Sequence, residues 1–429
     1  MPLPRSIQLK IRWSLGAVFC LTSIAAGGQT RAAVCVGGTG SFRATSSTKV
    51  TVWVGAPREA GFAERTCQAT LSSNGRNLVV ELAAQVVDVD AMGIDLGLGT
   101  PVLALQVKGT AAGAEMKYEI YSLNKPPAKL REITGGDWYA AADTDMDGRV
   151  EIWTDDADAV NGFEGIPLGD FDHPPMVVLR FEHKRLMDVG TEFQSAYDRE
   201  IAGLQSKLEP GPLSAFKKSD GRLADVSAMP MGEAHKMVET KIEILEIVWA
   251  YLYSGREEEA WKTLAALWPA ADYERIRAAI LAAQGRGIRR EVDAVSDGKR
   301  PRWTGEERIY GEGANLALIG GGSARMRPFS TSTATPENLD AAFDRPPRAI
   351  MLWRSETDQT AQAAPGVQEM LDLVIDEAGK VRSAKAAGGP GEPVDQGLMD
   401  ATAEWKFIPA FKNGRPVASR MRFSVWSPK

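Results

Sequence analysis

The chain has 429 residues, of which 44% are hydrophobic and 25% are charged, and its formal net charge is −6. This length indicates several domains with ample core, and the composition is that of a soluble globular protein rather than a disordered or fibrous one. The net charge is acidic, and no basic patch carries interleaved aromatic residues, so we do not expect nucleic acid as a partner. Fold and function have to be sought in the individual segments.

Residues 1–33 have the pattern of a secretory signal peptide. Basic residues come first, an apolar run follows at 13–26, and small residues lie at 25–28. The apolar run is shorter than the ~20 residues that a membrane-spanning helix needs, which favours a cleaved signal over an uncleaved anchor. The pattern predicts a periplasmic or cell-envelope location, with membrane contact only if the segment stays uncleaved.

Two cysteines remain once such a signal is removed. Cys20 lies in the apolar run and leaves with it, whereas Cys35 and Cys67 stay in the exported chain. An even pair of cysteines in an oxidising compartment predicts one disulfide. The alternative is a pair of buried free thiols.

Residues 34–190 are predicted to form an all-β N-terminal domain. Short apolar or alternating runs recur, and turn-forming residues separate them. Such strands are typical of a sandwich, a barrel or part of a propeller, and the sequence does not choose among the three. The predicted strands lie near residues 49–54, 78–82, 102–107, 116–121, 150–153 and 176–181.

The sharpest local motif is an acidic loop that begins at residue 143. Carboxylates occupy its positions one, three and five, glycine at position six allows a sharp turn, and a glutamate follows at position nine. Side chains at this spacing point inward around one centre, and position seven can add a backbone carbonyl. Hard oxygen ligands of this kind predict a Ca²⁺ site. The predicted ligands are Asp143, Asp145, Asp147, Arg149 and Glu151.

This acidic loop resembles the strand–loop–strand calcium turns of integrin-type FG-GAP repeats. Predicted strands flank it on both sides, whereas an EF-hand would need a bidentate glutamate at position twelve, where Thr154 stands. A single copy is visible, so the resemblance implies a calcium turn and not a whole propeller. The alternative is a solvated acidic turn that keeps its shape without a metal.

Residues 191–291 change to a helical period, with helices predicted at 192–208, 233–253 and 257–268. Part of this region is similar to one tetratricopeptide-type helix hairpin. A single copy does not bury a core by itself, so an ordinary hairpin packed on a neighbour is the simpler interpretation. Residues 292–347, which are rich in Gly, Ser and Thr, are predicted to form a flexible linker.

Residues 348–429 are predicted to form a small C-terminal domain in the order strand, strand, helix, strand. The first two strands meet at an acidic turn that ends in Gly379, which supplies the positive φ that such a turn needs. Leu398, Ala401 and Trp405 are spaced to share one helix face. The predicted elements are strands at 367–375 and 380–387, a helix around 398–405, and a last strand at 417–426.

The C-terminal residues resemble the carboxy-terminal domain of TonB-family proteins. The resemblance rests on the turn at 376–381, on Trp405, Lys406 and Phe407, and on Asn413 and Gly414. It implies a β-β-α-β fold and binding rather than catalysis. In that family the last strand offers its edge to an extended peptide of an outer-membrane transporter, which is strand addition. Carried over, this edge consists of Arg420, Met421, Arg422, Phe423, Ser424 and Val425.

No catalytic constellation accompanies these features, so we do not expect an enzyme. The three histidines are scattered and no Gly-x-Ser-x-Gly elbow is present. The sequence therefore predicts a multidomain α+β, non-catalytic periplasmic protein that binds a protein partner and is linked to outer-membrane transport. The alternative is a soluble, calcium-stabilised binding or structural module, in which the last strand is an ordinary sheet edge protected by its arginines.

Overall fold

The computed structural model describes residues 34–57, 66–111, 114–145, 147–224, 229–298, 337–338, 348–351, 368–387, 396–412 and 415–426. The predicted signal peptide and most of the predicted linker lie outside these ranges. Within them the protein is a mixed α and β structure with large antiparallel sheets and seven helices, as the sequence predicts at this coarse level. No helix in this part of the chain combines the length and the apolar character needed to span a membrane.

Eight antiparallel strands form the first sheet. They are β1 (Cys35–Val36), β2 (Phe42–Thr45), β3 (Thr51–Gly55), β4 (Cys67–Ser73), β5 (Arg76–Ile94), β6 (Val102–Gly109), β7 (Met116–Ser122) and β8 (Ala128–Ile133). The order β2-β3-β4-β5-β6-β7-β8 follows the chain, and β1 lies beside β5. Buried and partly exposed residues alternate along β4, because one face of this strand packs into the core.

The disulfide predicted from the sequence is present between Cys35 and Cys67, with their Cα atoms 5.9 Å apart. The long strand β5 explains why these cysteines meet. It pairs with β4 up to Ala84 and with β1 at Val86 and Val87, so both cysteines lie along the same side of one strand. The bridge therefore ties the first strand to the body of the sheet.

Five strands form the second sheet, in the order β13-β12-β11-β10-β9. All neighbours are antiparallel except β12 and β13, which are parallel. Because β13 follows the helices in sequence, the whole helical region is inserted between two neighbouring strands. The strands are β9 (Tyr139–Ala142), β10 (Glu151–Asp155), β11 (Met176–Glu182), β12 (Arg185–Asp188) and β13 (Ala294–Val295).

Side chains of the first sheet hold the edge strand of the second. The amide of Tyr139 donates to Oε1 of Gln106 at 2.8 Å, and the amide of Ala141 donates to Oδ2 of Asp90 at 2.8 Å. These two amides face away from β10 and have no neighbouring strand to donate to among the described residues, so the side chains of the first sheet provide their hydrogen-bond acceptors. One hydrophobic core cluster includes residues of both sheets and of the helices. This arrangement fixes β9, the strand that leads into the acidic loop.

Six helices precede residue 298 in the part of the chain that the structure describes. Three of them correspond to the predicted helices, whereas α1, α3 and α6 were not predicted. α3 begins at Pro210, and proline is well suited to the first turn of a helix. The region does not end in a linker at 292 as predicted, since β13 returns to the second sheet. The helices are α1 (Ala157–Val160), α2 (Gln194–Lys207), α3 (Pro210–Phe216), α4 (Met231–Tyr253), α5 (Glu257–Leu267) and α6 (Tyr273–Arg286).

The C-terminal part contains more strands than the predicted order of four elements. β14 (Glu337–Asn338), β21 (Ser419–Trp426), β16 (Gln368–Ile375) and β17 (Val381–Ala386) form a four-stranded sheet in that order. The helix α7 (Gln396–Ala401) follows β17, as predicted. The extra strands pair two by two: β15 (Arg348–Met351) with β18 (Lys406–Ile408), and β19 (Ala410–Lys412) with β20 (Arg415–Val417).

The turn between β16 and β17 has the geometry that the sequence predicts. Gly379 has φ +77°, and Oδ1 of Asp376 accepts hydrogen bonds from the amides of Ala378 and Lys380 at 2.9 Å each. A small separate core packs beneath this sheet, and it includes Trp405. The buried members of this core are Leu371, Leu373, Ile375, Trp405, Phe407 and Met421.

Candidate metal centre

The acidic loop connects two neighbouring antiparallel strands, β9 and β10. Ala142 at the end of β9 lies directly opposite Glu151 at the start of β10. Because the loop closes on this pair, position nine of the motif comes back beside position one. The glutamate that lies too early for an EF-hand is therefore placed by the strand pairing beside the first aspartate.

Three of the predicted ligands come together at one point. One carboxylate oxygen from each of Asp143, Asp145 and Glu151 lies within 4.8 Å of the other two. Oxygen ligands lie ~2.3–2.6 Å from Ca²⁺, so opposite ligands of one ion are roughly 4.6–5.2 Å apart. We call these three residues the acidic triad. Their exposed fractions are 0%, 3% and 0%, so the triad is buried rather than being a solvated turn.

Backbone amides of the loop orient the first two carboxylates. Asp143 accepts from the amide of Asp147 at 3.1 Å and from that of Gly148 at 3.0 Å, and Asp145 accepts from the amide of Asp147 at 3.2 Å. Gly148 has φ +84°, a conformation that residues with a Cβ rarely adopt. The glycine at position six is therefore needed for the turn that directs these oxygens inward.

The third carboxylate is held by the loop and by a neighbouring strand. Oε2 of Glu151 accepts from both the amide and the hydroxyl of Thr144 at 2.9 Å, and Oε1 lies 3.4 Å from Nη1 of Arg180. Arg180 lies opposite Glu151 in the pairing of β10 with β11, so their side chains share one face of the sheet. This ion pair is almost fully buried.

The other two predicted ligands pair with each other at the rim. Nε of Arg149 donates to Oδ2 of Asp147 at 2.7 Å, and the Arg149 amide donates to Oδ1 of the same carboxylate at 2.9 Å. Nη1 of Arg149 also lies 3.2 Å from Glu182 on β11. Asp147 is therefore held in a salt bridge with Arg149 and is not a member of the acidic triad.

The acidic triad is short of positive charge. Burial, together with the neighbouring carboxylates, raises the pKa of Asp143 and of Glu151 well above the usual values and that of Asp145 to about 6. The pKa of Asp147 is lowered instead, because the hydrogen bond and charge of Arg149 outweigh its burial. A bound cation would supply the charge that the triad lacks and would favour its ionised form.

Sequence reasoning missed Arg180, because it lies far along the chain from the loop. Its signal was an arginine that directly follows four apolar residues of β11 and precedes Phe181. A charged residue in a buried strand needs a partner of opposite charge, since an unpaired buried charge is costly. The register places that partner at Glu151.

The predicted partner-binding strand, β21, is not the outermost strand of its sheet. It pairs with β16 over its whole length, and on its other side Arg422 and Met421 pair with Glu337 and Asn338 of β14. Met421 is buried in the small core, whereas Arg420 is exposed, because successive side chains of a strand point to opposite faces of the sheet. For Phe423, Ser424 and Val425 the structure describes the backbone pairing with Leu371, Met370 and Glu369.

Comparison with known proteins identifies no relative of this chain. No family model matches it, and no curated protein and no solved structure matches it. The resemblances to TonB-family domains and to FG-GAP turns therefore stay predictions from the sequence.

Proposed function

We propose that this chain is an exported, non-catalytic protein of the cell envelope whose β-rich region is stabilised by one bound Ca²⁺. The observation that carries the proposal is the acidic triad, in which three buried carboxylates of one loop converge without enough positive charge to balance them. Such a set of hard oxygens binds Ca²⁺, Mg²⁺ or Mn²⁺ in preference to softer metals. The loop pattern favours Ca²⁺ among these.

In this role the ion is structural. Its ligands come from a loop that joins two strands of the core, and a cation there would neutralise carboxylates that otherwise repel one another. A ligand that binds only the folded protein adds to its stability in proportion to the logarithm of its concentration. The disulfide between Cys35 and Cys67 supports export, because such bridges persist in oxidising compartments.

Metal analysis of the purified full chain tests this proposal. After gel filtration in metal-depleted buffer, elemental mass spectrometry should find close to one calcium per chain, and Asp145→Asn should lose it. Asp170→Asn is the matched control, because Asp170 is an exposed aspartate outside the loop. A wild-type chain that retains no divalent metal after exposure to Ca²⁺ would contradict the proposal. Retention of magnesium or manganese alone would show that the site binds that metal instead of Ca²⁺.

A second candidate function concerns the C-terminal sheet, which we propose to be a TonB-like domain that binds a protein partner by strand addition. The favouring observation is the pairing of β21 with the two-residue strand β14, since an extended segment of the chain already lies along the outer side of β21. An incoming peptide, such as one from an outer-membrane transporter, would use the same antiparallel geometry.

Capture from envelope extracts tests this second function. The immobilised full chain should retain an outer-membrane protein, and a chain that lacks residues 348–429 should not. Recovery of the same proteins by both chains would contradict the role of the C-terminal sheet. In that case the soluble, calcium-stabilised module without a role in transport would be the better description.

A further inference from the structure

Arg180 connects the acidic triad to the helical region. It is a buried arginine on β11, only 1% exposed, and its guanidinium group contacts three carboxylates. Besides Glu151 at 3.4 Å, Nη2 lies 2.7 Å from Oε1 of Glu182 and 2.8 Å from Oε2 of Glu192. Glu192 lies in the 3₁₀ turn Gly190–Phe193, which leads directly into α2. One guanidinium group is thus shared between a triad residue and the start of the helices.

The same glutamate also contacts the segment in which the helical region ends. Oε1 of Glu192 accepts a hydrogen bond from Oγ of Ser296 at 2.7 Å, and Ser296 directly follows β13. The amide of Ser296 in turn donates to the carbonyl of Asp188 on β12 at 2.8 Å. Glu192 therefore lies where the chain leaves the second sheet for the helices and where it returns.

A second route joins the triad to the same turn. The hydroxyl of Thr144, a loop residue between two triad members, donates to Glu151 and accepts from Nε1 of Trp153 at 3.3 Å. The Trp153 ring packs edge-to-face on Phe193, with ring centroids 5.2 Å apart. Phe193 is the last residue before α2. Packing as well as charge thus connects the loop to the start of α2.

A bound cation would change which of the three carboxylates interacts most strongly with Arg180. Without a cation at the triad, Glu151 attracts the guanidinium group in competition with Glu182 and Glu192. A cation bound to Glu151 neutralises that carboxylate and repels the guanidinium group, and both effects are strong at low effective dielectric. Arg180 then interacts more strongly with Glu192, which holds the turn before α2 more firmly.

We propose that Arg180 is a positioning residue that couples cation binding at the acidic triad to the docking of the helical region on the second sheet. This inference rests on the proposed function, since it needs a cation at the triad. According to this proposal, the ion orders the junction between the second sheet and α2 in addition to the loop that binds it. By linkage, docking of the helices also favours binding of the ion.

Hydrogen exchange of the full chain, measured with and without Ca²⁺, tests this coupling. In the wild type, Ca²⁺ should slow exchange of the amides at the start of α2 by about 5- to 10-fold, at the lower end of the range of about 5- to 150-fold that is usual for coupling between sites. Glu192→Gln should remove most of this slowing while the chain still binds one Ca²⁺. Glu259→Gln, an exposed charge change on α5, is the matched control and should respond like the wild type.

Arg180→Lys provides a second test in case Glu192→Gln folds poorly. Lysine keeps the charge but offers a single ammonium group that does not bridge three carboxylates, so Ca²⁺ should still bind and the slowing at α2 should be lost. Arg185→Lys on the neighbouring strand, an exposed position, should leave both intact.

The two proposals fail in distinguishable ways. If the wild type binds Ca²⁺ but exchange at α2 does not change, or if Glu192→Gln responds like Glu259→Gln, the coupling is wrong and the cation site stands. If the wild type binds no cation, both proposals are wrong.

Discussion

Two buried clusters of acidic residues in this chain differ in the source of their positive charge. One is a salt-bridge cluster in which Arg275 of α6 binds two carboxylates. Its Nη1 lies 2.5 Å from Oε1 of Glu164, and its Nε lies 2.6 Å from Oδ1 of Asp272. Lys241 of α4 adds a second cation at 3.3 Å from Glu164. The acidic triad is the other cluster, and of its three carboxylates Glu151 is paired with Arg180.

The pKa values of the two clusters move in opposite directions. Burial alone would raise the pKa of Glu164 and of Asp272, but their hydrogen bonds and ion pairs with Arg275, joined by Lys241 at Glu164, lower both. In the acidic triad burial and mutual repulsion prevail, and the pKa values are raised. In the salt-bridge cluster the chain supplies its own cations. At the acidic triad, the proposed function assigns part of the missing positive charge to a bound ion.

The first prediction concerns the salt-bridge cluster around Arg275. Arg275→Met removes the partner of two carboxylates that are each largely buried, so we expect a loss of about 3–4 kcal/mol in the free energy of unfolding, the usual cost of breaking a buried pair. Calcium should not restore this loss, because the cluster lacks the converging oxygens of the triad. Urea unfolding with and without Ca²⁺ measures both effects.

Arg286→Met is the control for this change, since Arg286 is exposed in the last turn of the same helix. It should unfold within about 0.5 kcal/mol of the wild type. Rescue of Arg275→Met by Ca²⁺ would show that the two clusters are not of different kinds.

The second prediction concerns Asp156, a buried carboxylate that neutral donors hold. The hydroxyl of Tyr253 donates to it, as do the amides of Ile288 at 2.9 Å and Ala159 at 3.1 Å. Burial outweighs these bonds and raises the pKa of Asp156 from 3.8 to about 6. The folded protein therefore keeps a proton that the unfolded chain loses between these values. The stabilising contribution is complete below pH 3.8 and is lost as the pH rises through 6.

Asp156→Asn removes this titration while keeping an acceptor for the Ile288 amide. From pH 3 to pH 7 the stability of the wild type relative to the variant should fall by about 3 kcal/mol, at about 1.4 kcal/mol for each pKa unit. Unfolding curves measured across this range give the difference directly. If the stabilities of the wild type and of Asp156→Asn changed in parallel with pH, Asp156 would be ionised throughout this range, like the acids of the salt-bridge cluster.

The third prediction addresses the charge deficit of the triad. At a Ca²⁺ concentration 100 times the dissociation constant, the wild type should gain about 2.7 kcal/mol over the same protein in chelator. Asp145→Asn should gain almost nothing from Ca²⁺. In chelator this variant should be at least as stable as the wild type, because it has one buried carboxylate fewer. A variant less stable than the wild type in chelator would show that the triad is balanced without an ion.

The fourth prediction probes how tightly the chain encloses Asp156. A Cβ added to Gly287 would lie 2.1 Å and 2.2 Å from the two carboxylate oxygens of Asp156. Gly287→Ala should therefore cost about 2 kcal/mol, as other overpacking changes do. Gly285→Ala is the control, since its Cβ would meet no atom within 4 Å and alanine favours the helix. Equal stability of the two variants in thermal unfolding would contradict the close packing around Asp156.

Local features of this fold could be predicted from the sequence because they depend on residues close together in the chain. The carboxylates at 143, 145 and 151 were identified by spacing, and the turn at Gly379 by its acidic residues and glycine. The disulfide followed from the parity of the cysteines, and three helices followed from their apolar period. Each of these patterns is set by backbone geometry within a few residues.

Features that depend on distant pairings could not be read in this way. The burial of the triad and the ion pair from Arg180 arise from the pairing of β10 with β11. The return of β13 to the second sheet joins residues more than a hundred positions apart in sequence. The position of β21 between two strands depends on Glu337 and Asn338, which the sequence placed in a linker. Register across a sheet is decided by the whole core, and a single sequence does not display it.

We propose that the acidic triad binds one Ca²⁺, and calorimetric titration of the full chain with CaCl₂ at pH 7 tests this claim. The predicted result is a binding heat that saturates at one ion per chain, that Asp145→Asn abolishes and that Asp170→Asn retains. A wild-type titration without heat and without any shift in thermal unfolding would contradict the claim. The same heat in wild type and Asp145→Asn would place the ion elsewhere and would contradict it equally.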